Sequence, residues 1–394
     1  MFVYADHAAT APLRPEALAA MMPFLTEQYG NASSIYRLAS NAKRALEQAR
    51  SDVAAALGVE KTEIYFTGGG TESDNIAIKG VLTALEKKGK HVITSSVEHH
   101  AVIHTLKHLE KAGKCELTVI PVDKYGMVPP GDVRAAIRPD TVLVTVMTAN
   151  NEIGTVQPVN EIGEAARERG VLFHTDAVQA VGHMPLNVQN ADMLSLSAHK
   201  FGGPKGVGAL YLRTASVKIP PLIDGGGHER GLRSGTENVA GIVGLAKALT
   251  LAVDNLEADT KRLAEVSRTV TDGLMKIPYA HLTGHPALRL TGNVSFVFEA
   301  VEGESLVLGL DAKGVAASSG SACSYGSLEP SHVLLAIGLS HEAAHGSLRL
   351  SFGIENTVED AEHVVKAVTE VVASRRAMSP LWDEDKNAPT ERFM

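Results

Sequence analysis

Residues 171–212 read VLFHTDAVQAVGHMPLNVQNADMLSLSAHKFGGPKGVGALYL and contain three short apolar runs separated by polar and glycine residues. The runs predict strands at Val171–Thr175, Met193–Ser197 and Val207–Leu212. Near-continuous apolar strands of this length are typical of a sheet that is buried on both faces. The stretch therefore predicts an α/β fold built on a mostly parallel sheet.

The same alternation of strands and helices extends over about residues 60–255. Further strands are predicted at His91–Thr94, Leu117–Ile120 and Thr141–Met147, and amphipathic helices at Ile76–Glu86, Ala101–Ala112 and Val159–Arg169. This order of elements favours a sheet sandwiched by helices.

The C-terminal part of the chain has a different pattern. One long helical stretch is predicted over about 237–277. It is followed by strands at Asn293–Phe298 and Ser347–Ser351 and helices at Ser331–Ile337 and Thr357–Ser374. We expect a large domain over 13–255 and a smaller α+β domain over 1–12 and 256–394. A length of 394 residues is consistent with two domains.

Composition excludes several classes of function. The net charge is −8 without any basic cluster, so nucleic acid is not expected as a ligand. No apolar run reaches the length of a membrane span, and the first residues lack a secretory signal. Two cysteines form no disulfide framework, and a cytoplasmic location is expected.

Polar residues collect where two neighbouring strands end. Asp176 follows the strand at 171–175, and Ser197, His199 and Lys200 lie at the end of the strand at 193–197. In open α/β sheets, ligands bind at the carboxyl ends of the strands. Each residue taken alone would more often be a turn residue or a surface charge.

A third segment, Phe66-Thr-Gly-Gly-Gly-Thr-Glu-Ser-Asp-Asn75, leads three glycines into a helix. The N–H groups of a first helical turn can hold a phosphate, and Gly70 and Thr71 would lie there. The spacing is not the Gly-x-Gly-x-x-Gly of a dinucleotide-binding fold, which argues against a Rossmann dehydrogenase.

Together these segments predict a site for pyridoxal 5'-phosphate. That cofactor needs a lysine for a Schiff base, a carboxylate at its pyridinium nitrogen and a cradle for its phosphate. We expect Lys200 and Asp176 to fill the first two roles. The phosphate would be held by Gly70, Thr71, Ser197 and His199.

Cys323 lies in a run of small residues, Ser318-Ser-Gly-Ser-Ala-Cys-Ser-Tyr-Gly-Ser327, that suits neither a core strand nor a helix. Such a position offers a thiol to a reaction partner. Cys115 precedes a predicted strand and is expected to be structural.

The motifs around these residues resemble those of NifS/IscS-type cysteine desulfurases of the longer-loop class. The resemblance runs from about Tyr4 to Trp382. The matching segments are His174–Gly182, Ser197–Gly208, Ser319–Ser324, Asp6–Thr10, Val97–His99, Ala149–Gly154, Gly231–Asn238 and Ala344–Arg349.

The resemblance implies a fold-type I, aminotransferase-like enzyme that acts as a homodimer. The implied reaction converts L-cysteine to L-alanine and leaves a persulfide on Cys323, which supplies sulfur for iron–sulfur cluster assembly. His99 would stack on the cofactor ring and move protons. Asn151 and Gln179 would contact the ring, Thr236 the phosphate of the neighbouring subunit, and Arg349 the substrate carboxylate. Asn151 would also contact the substrate.

The expected partner is a scaffold protein of the IscU/NifU kind, with which Cys323 could transiently ligate an iron–sulfur cluster. No resident metal is expected. The tail Ser379-Pro-Leu-Trp382 resembles ends that help to dock such a scaffold, and Trp382 is expected to anchor that tail.

Some residues depart from the family pattern, and other functions stay open. Tyr36 and Ala39 stand where the family often has His and Gly, which would alter substrate entry. A selenocysteine lyase, another lyase or an aminotransferase could use the same scaffold. Sulfur could also pass to carriers for tRNA thiolation or thiamin synthesis. A cofactor-free binding protein is the non-enzymatic alternative.

Overall fold

The computed structural model describes residues 1–320 and 329–390. Its strands, in chain order, are β1 (Val3–Tyr4), β2 (Ile64–Thr67), β3 (His91–Ser95), β4 (Glu116–Ile120), β5 (Thr141–Thr145), β6 (Leu172–Asp176), β7 (Met193–Ser197), β8 (Gly208–Leu212), β9 (Ala280–Leu282), β10 (Asn293–Phe298), β11 (Val315–Ala316), β12 (Ser347–Ser351), β13 (Trp382–Asp383) and β14 (Ala388–Pro389). Its α-helices are α1 (Pro15–Thr26), α2 (Arg37–Leu57), α3 (Gly70–Ala84), α4 (His100–Lys111), α5 (Pro130–Ala136), α6 (Val159–Glu168), α7 (Val239–Asp254), α8 (Leu256–Leu274), α9 (Gly303–Asp311), α10 (His332–Ala336), α11 (His341–His345) and α12 (Val358–Arg376).

The large sheet has the strand order β2-β8-β7-β6-β5-β3-β4. Strands β7, β6, β5, β3 and β4 run parallel to one another, whereas β8 is antiparallel to both β7 and β2. The predicted α/β fold with a mostly parallel sheet sandwiched by helices is therefore confirmed. Parallel pairing brings the carboxyl ends of β6 and β7 to the same edge of the sheet.

Burial on both faces explains the unbroken apolar runs of the central strands. Every residue of β5 and β7 is buried, including the serines and threonines, whereas the edge strand β4 is partly exposed. Helices cover the sheet and contribute the residues that pack against it, such as Ile76, Ile78 and Val81 of α3.

The helical stretch predicted over 237–277 consists of two helices. They join at Asn255, whose side chain donates a hydrogen bond to the carbonyl of Leu251, and their axes differ by 72°. Among the described residues, no single helix is both long and apolar enough to cross a membrane. The two helices of this bent pair reach that length and apolar composition only when they are taken together.

A second hydrophobic core lies around an antiparallel sheet of order β12-β10-β9. Helices α8 and α12 pack in this core, and so do Val3 and Ala5 near the N-terminus. Strand β1 pairs in parallel with β11. The division of the chain into a large domain over 13–255 and a smaller domain formed by 1–12 and 256–394 stays a prediction. The second hydrophobic core supports it.

Two single-residue predictions are confirmed. Trp382 packs edge-on against Tyr279 and under the guanidinium of Arg376, 4.1 Å from the ring centre. Cys115 is buried, and burial raises the pKa of its thiol to about 11. It therefore stays a protonated core residue.

Candidate active site

A cavity of about 890 Å³ opens at the edge of the large sheet where β6 and β7 end. This volume is typical of sites that bind cofactors and small substrates. Ten of the residues predicted from the sequence line it: Gly70, Thr71, His99, Asn151, Asp176, Gln179, Ser197, His199, Lys200 and Arg349. The cavity thus joins segments that are far apart in the chain.

Asp176 is the last residue of β6 and is 5% exposed. Its carboxylate accepts a hydrogen bond from the backbone N–H of Val178 at 2.9 Å. Burial raises the pKa of Asp176 to about 6, although this hydrogen bond and the charge of Lys200 both act to lower it. A buried carboxylate with so few donors can accept a further positively charged N–H group from a ligand.

Asp74 was not predicted as a site residue, yet it lines the same cavity. It is 1% exposed, and its Oδ1 has no hydrogen-bond partner among the described residues. Burial and the nearby charge of Asp176 raise the pKa of Asp74 well above its ordinary value. Its spacing could have indicated this position, because Asp74 follows Gly70 by four residues and therefore lies on the same face of α3 as Gly70.

Lys200 ends the short 3-10 helix that follows β7. Its Nζ donates hydrogen bonds to the carbonyl oxygens of Ala8 and Ala9, at 2.5 and 2.9 Å. The N-terminal segment therefore forms part of the cavity wall, which sequence reasoning did not find. These carbonyls hold the amine at the cavity, where a bound aldehyde could reach it.

The glycine turn before α3 brings the backbone close to the cavity. A β-carbon on Gly70 would lie only 2.5 Å from Cγ2 of Val178, and Gly69 has φ = 148°, which disfavours other residues. The first turn of α3 therefore presents backbone N–H groups without side chains in the way. This arrangement suits an anionic group such as a phosphate.

His99 is the N-cap of α4, and its Nδ1 accepts a hydrogen bond from the backbone N–H of Ala101 at 3.1 Å. The neutral imidazole must therefore carry its proton on Nε2. Burial and the positive charge of Lys200 lower the pKa of His99 to about 4. At neutral pH, His99 is a neutral ring that can donate one hydrogen bond from Nε2.

Arg349 lies in β12 and is 4% exposed. Its Nη1 donates to the carbonyl of Asn151 at 3.1 Å, and its Nη2 pairs with Asp6 at 2.8 Å. Its Nε is buried and has no partner among the described residues. A guanidinium with an unsatisfied donor suits a substrate carboxylate.

Three more predicted residues complete the wall. Gln179 donates through Nε2 to the carbonyl of Ala8 at 2.9 Å. Nδ1 of His199 is 3.1 Å from Oγ1 of Thr10, and burial lowers the pKa of His199 to about 4. Ser197 is buried at the end of β7.

Other predicted residues do not lie in this cavity. Thr236 is exposed in the turn before α7 and does not line it. Tyr36 is the N-cap of α2 and is 54% exposed. Cys323 lies outside the described residues.

The residues of the cavity fit pyridoxal phosphate. The turn at Gly69 and Gly70 adds no side chain beside the backbone N–H groups that would hold a phosphate, and Asp176 is a buried carboxylate for a protonated ring nitrogen. The Lys200 amine and Nε of Arg349, which has no hydrogen-bond partner within residues 1–320 and 329–390, complete the donor set. The chemistry of this set matches the demands of the cofactor.

The fold and the cavity define a pyridoxal-phosphate-dependent enzyme of the aminotransferase type. The chain belongs to the aminotransferase class-V family, whose model matches residues 3–364.

Known proteins agree with this assignment over nearly the whole chain. A cysteine desulfurase IscS of Methanosarcina thermophila is 57% identical over 385 residues, which cover 97% of this chain and 95% of that protein. The structure of a NifS-like protein superposes with a TM-score of 0.89 at 38% identity, covering 95% of this chain and 100% of that one. A structure titled SspA in complex with cysteine gives a TM-score of 0.79 at 37% identity, covering 89% and 98%. The predicted resemblance is confirmed.

Proposed function

We propose that this chain is a pyridoxal-phosphate-dependent cysteine desulfurase that converts L-cysteine to L-alanine and leaves the sulfur as a persulfide on Cys323. The observation that carries the proposal is that one cavity contains Asp176, Lys200 and Arg349. The cysteine desulfurase IscS relatives and the SspA structure with bound cysteine support the choice of substrate.

When bound, pyridoxal phosphate supplies an aldehyde for the substrate amino group and a ring that withdraws electrons from the α-carbon. Asp176 would hold the proton on the ring nitrogen. The first turn of α3 would hold the phosphate, together with Ser197 and His199.

Substrate orientation would come from Arg349 and Asn151. Arg349 already donates to the Asn151 carbonyl and to Asp6, which fixes the plane of its guanidinium. Its Nε would then bind the substrate carboxylate. The Lys200 amine lies across the same cavity and would take the α-proton.

Sulfur transfer would require the thiolate of Cys323. That thiolate would form an S–S bond with the substrate sulfur while the substrate Cβ–S bond breaks, and protonation of the remaining fragment would give alanine. His99 would donate a hydrogen bond from Nε2 to the reacting groups, because its Nδ1 is occupied by the N–H of Ala101.

The test uses the holoenzyme and L-cysteine in a single turnover. Alanine is measured by chromatography and the persulfide by mass spectrometry of the peptide that contains Cys323. We expect equal amounts of alanine and persulfide in the wild type and neither product in Cys323→Ala. A Cys115→Ala control should behave as the wild type, since Cys115 is buried in the core. Full sulfide release by Cys323→Ala would disprove the proposal.

Selenocysteine lyase is the alternative on the same scaffold. Comparing the turnover of L-cysteine with that of L-selenocysteine in the Cys323→Ala variant separates the two activities. A lyase that needs no cysteine nucleophile would keep its activity on selenocysteine.

The finer assignments are also proposals. A homodimer is supported by the exposure of Thr236, whose predicted ligand is the phosphate in the neighbouring subunit. The proposed acceptor of the sulfur is an IscU/NifU-type scaffold for iron–sulfur assembly, which the IscS relatives support. Sulfur carriers for tRNA thiolation or thiamin synthesis are the other acceptors, and a persulfide transfer assay distinguishes them.

A further inference from the structure

The side chain of Glu152 is buried beside the cavity, and the proposed mechanism does not use it. It is 6% exposed, and Oγ of Ser331 donates a hydrogen bond to its Oε2 at 2.5 Å. Ser331 is buried to the same extent. A carboxylate in such a place needs a hydrogen-bond partner, because burial without one is costly.

Residues on both sides of the segment 321–328 lie close to this carboxylate. A β-carbon on Gly320 would lie 3.5 Å from Oε2 of Glu152, and the N–H of Gly320 donates to Oγ of Ser347 at 3.0 Å. On the other side, Ser331 is the N-cap of α10 and accepts from the N–H groups of Val333 and Leu334.

The backbone next to Glu152 contacts the proposed substrate-binding residue. Asn151 precedes Glu152, and its carbonyl accepts the hydrogen bond from Nη1 of Arg349. The amide of Glu152 donates to Oδ1 of Asn150 at 2.8 Å, which fixes the orientation of this peptide. Asn151 therefore contacts the guanidinium of Arg349 through its carbonyl, and the next residue, Glu152, contacts Ser331 through its side chain.

We propose that Glu152 is a positioning residue for sulfur transfer, because its carboxylate ties Ser331, at the end of the segment containing Cys323, to the peptide that holds Arg349. The inference rests on the proposed function. It assigns Glu152 no contact with the substrate or the cofactor.

Burial raises the pKa of Glu152 to about 7, and the hydrogen bond from Ser331 and the positive charge of Arg349 act in the opposite direction. The link to Ser331 is stronger to the carboxylate, but it can form in both protonation states, because a protonated carboxyl can still accept through its carbonyl oxygen. For the same reason Glu152→Gln keeps an acceptor for Ser331, whereas Glu152→Ala removes it.

The test compares holoenzymes carrying Glu152→Ala, Glu152→Gln, Ser331→Ala or Ser340→Ala with the wild type. Ser340 is the matched control, because it caps the short helix α11 as Ser331 caps α10 but does not contact Glu152. Three quantities are measured. They are the rate of persulfide formation on Cys323 in a single turnover, the L-cysteine affinity from the cofactor absorbance, and hydrogen–deuterium exchange of residues 329–337.

We expect Glu152→Ala and Ser331→Ala to slow persulfide formation about tenfold, as the loss of one buried hydrogen bond to a carboxylate would do. The L-cysteine affinity should not change. Glu152→Ala should also speed exchange in residues 329–337 although the cap of α10 is intact. Glu152→Gln and Ser340→Ala should match the wild type in persulfide formation, and the double variant Glu152→Ala/Ser331→Ala should be no slower than either single variant.

The inference is overturned if Glu152→Ala forms the persulfide at the wild-type rate, or if Glu152→Gln is as slow as Glu152→Ala. It is also overturned if the L-cysteine affinity falls together with the rate, which would indicate general damage to the cavity. If Glu152→Ala does not fold, equal rates for Ser331→Ala and Ser340→Ala would overturn it. Absence of persulfide in the wild type would instead refute the proposed function, and the exchange data would still test the link.

Discussion

The backbone N–H of Ala101 donates a hydrogen bond to Nδ1 of His99, so this ring caps helix α4 while its Nε2 is left for the cavity. The two roles can be separated by substitution. His99→Asn keeps a side chain that can cap the helix, whereas His99→Ala removes the cap.

We therefore expect both variants to lose sulfur transfer, but only His99→Ala to lose about 1 kcal/mol of unfolding free energy. Urea unfolding and single-turnover persulfide formation measure the two effects. If His99→Asn retained wild-type transfer, His99 would serve only as a cap.

Gly70 and Val178 provide a size-complementation test of the phosphate cradle. A β-carbon on Gly70 would be 2.5 Å from Cγ2 of Val178 but 3.7 Å from its Cβ. Gly70→Ala should therefore weaken cofactor affinity about tenfold, because the turn must shift away from the phosphate. The double variant Gly70→Ala/Val178→Ala should recover most of the affinity in a fluorescence titration with pyridoxal phosphate.

Gly131 in α5 serves as the control for that experiment, since nothing lies within 4 Å of a β-carbon built there. Gly131→Ala should leave the affinity unchanged. A double variant as weak as Gly70→Ala would show that the clash with Val178 is not the cause.

Glu98 precedes His99 and predicts an unusual pH dependence of stability. It is fully buried, and burial raises its pKa from 4.5 to about 8. The folded state therefore binds a proton that the unfolded state releases between about pH 4.5 and 8. The contribution of Glu98 to the free energy of unfolding is greatest below the pKa that it has in the unfolded chain. It falls as the pH rises through this window, by an amount of the order of several kcal/mol.

Glu98→Gln should reduce that slope, because Gln resembles the protonated acid and can still accept from Ser95 and Met147 through its oxygen. Chemical unfolding of the cofactor-free protein at pH 5, 6.5 and 8 measures the effect. Parallel pH profiles for the variant and the wild type would contradict it.

Arg50 and Glu229 form a buried, bidentate ion pair with distances of 2.7 and 2.8 Å. Glu229 also accepts from the N–H of Phe66, and it adopts φ = 46°, which is strained for a side-chain-bearing residue. Glu229→Ala should cost about 3 kcal/mol, because the buried guanidinium then keeps as partners only the carbonyl of Ile64 and the half-exposed Glu47, 3.4 Å from its Nε. The exposed pair Lys313–Glu370 is the control, and Glu370→Ala should have little effect on stability.

The sequence predicted the parts of the fold that depend on local apolar patterns. Strands β7, β10 and β12 have the predicted bounds, because in each of them apolar residues recur at alternate or consecutive positions. The reversed direction of β8 was not predictable, since an apolar run has the same composition in either direction. The break at Asn255 was also missed, because Asn is tolerated within helices and the 72° bend follows from packing.

The sequence predicted those site residues whose side chains carry the chemistry and lie at the end of a predicted strand. Asp176 and Lys200 were found in this way. The Ala8 and Ala9 carbonyls were not, because a backbone group has no sequence signature. Asp74 was missed because its burial is a property of the folded environment, where Oδ1 has no hydrogen-bond partner among the described residues and lies 3.6 Å from Nε2 of His174.

The raised pKa of Asp176 gives a prediction that separates its cost in stability from its role in the enzyme. Burial shifts its pKa from 3.8 to about 6, so the folded cofactor-free protein favours the protonated acid. Stability at this position is therefore lost as pH rises from about 4 to 6, so the carboxylate destabilises the folded protein at pH 8. Asp176→Asn keeps the acceptor for Val178 and removes the charge. We expect this variant to melt at a higher temperature than the wild type at pH 8, at the same temperature at pH 4, and to lose catalysis at least about a hundredfold.

Added pyridoxal phosphate should raise the melting temperature of the wild type more than that of the variant, because the carboxylate then has a protonated ring nitrogen to pair with. An equal rise in the two proteins would show that Asp176 does not contact the cofactor.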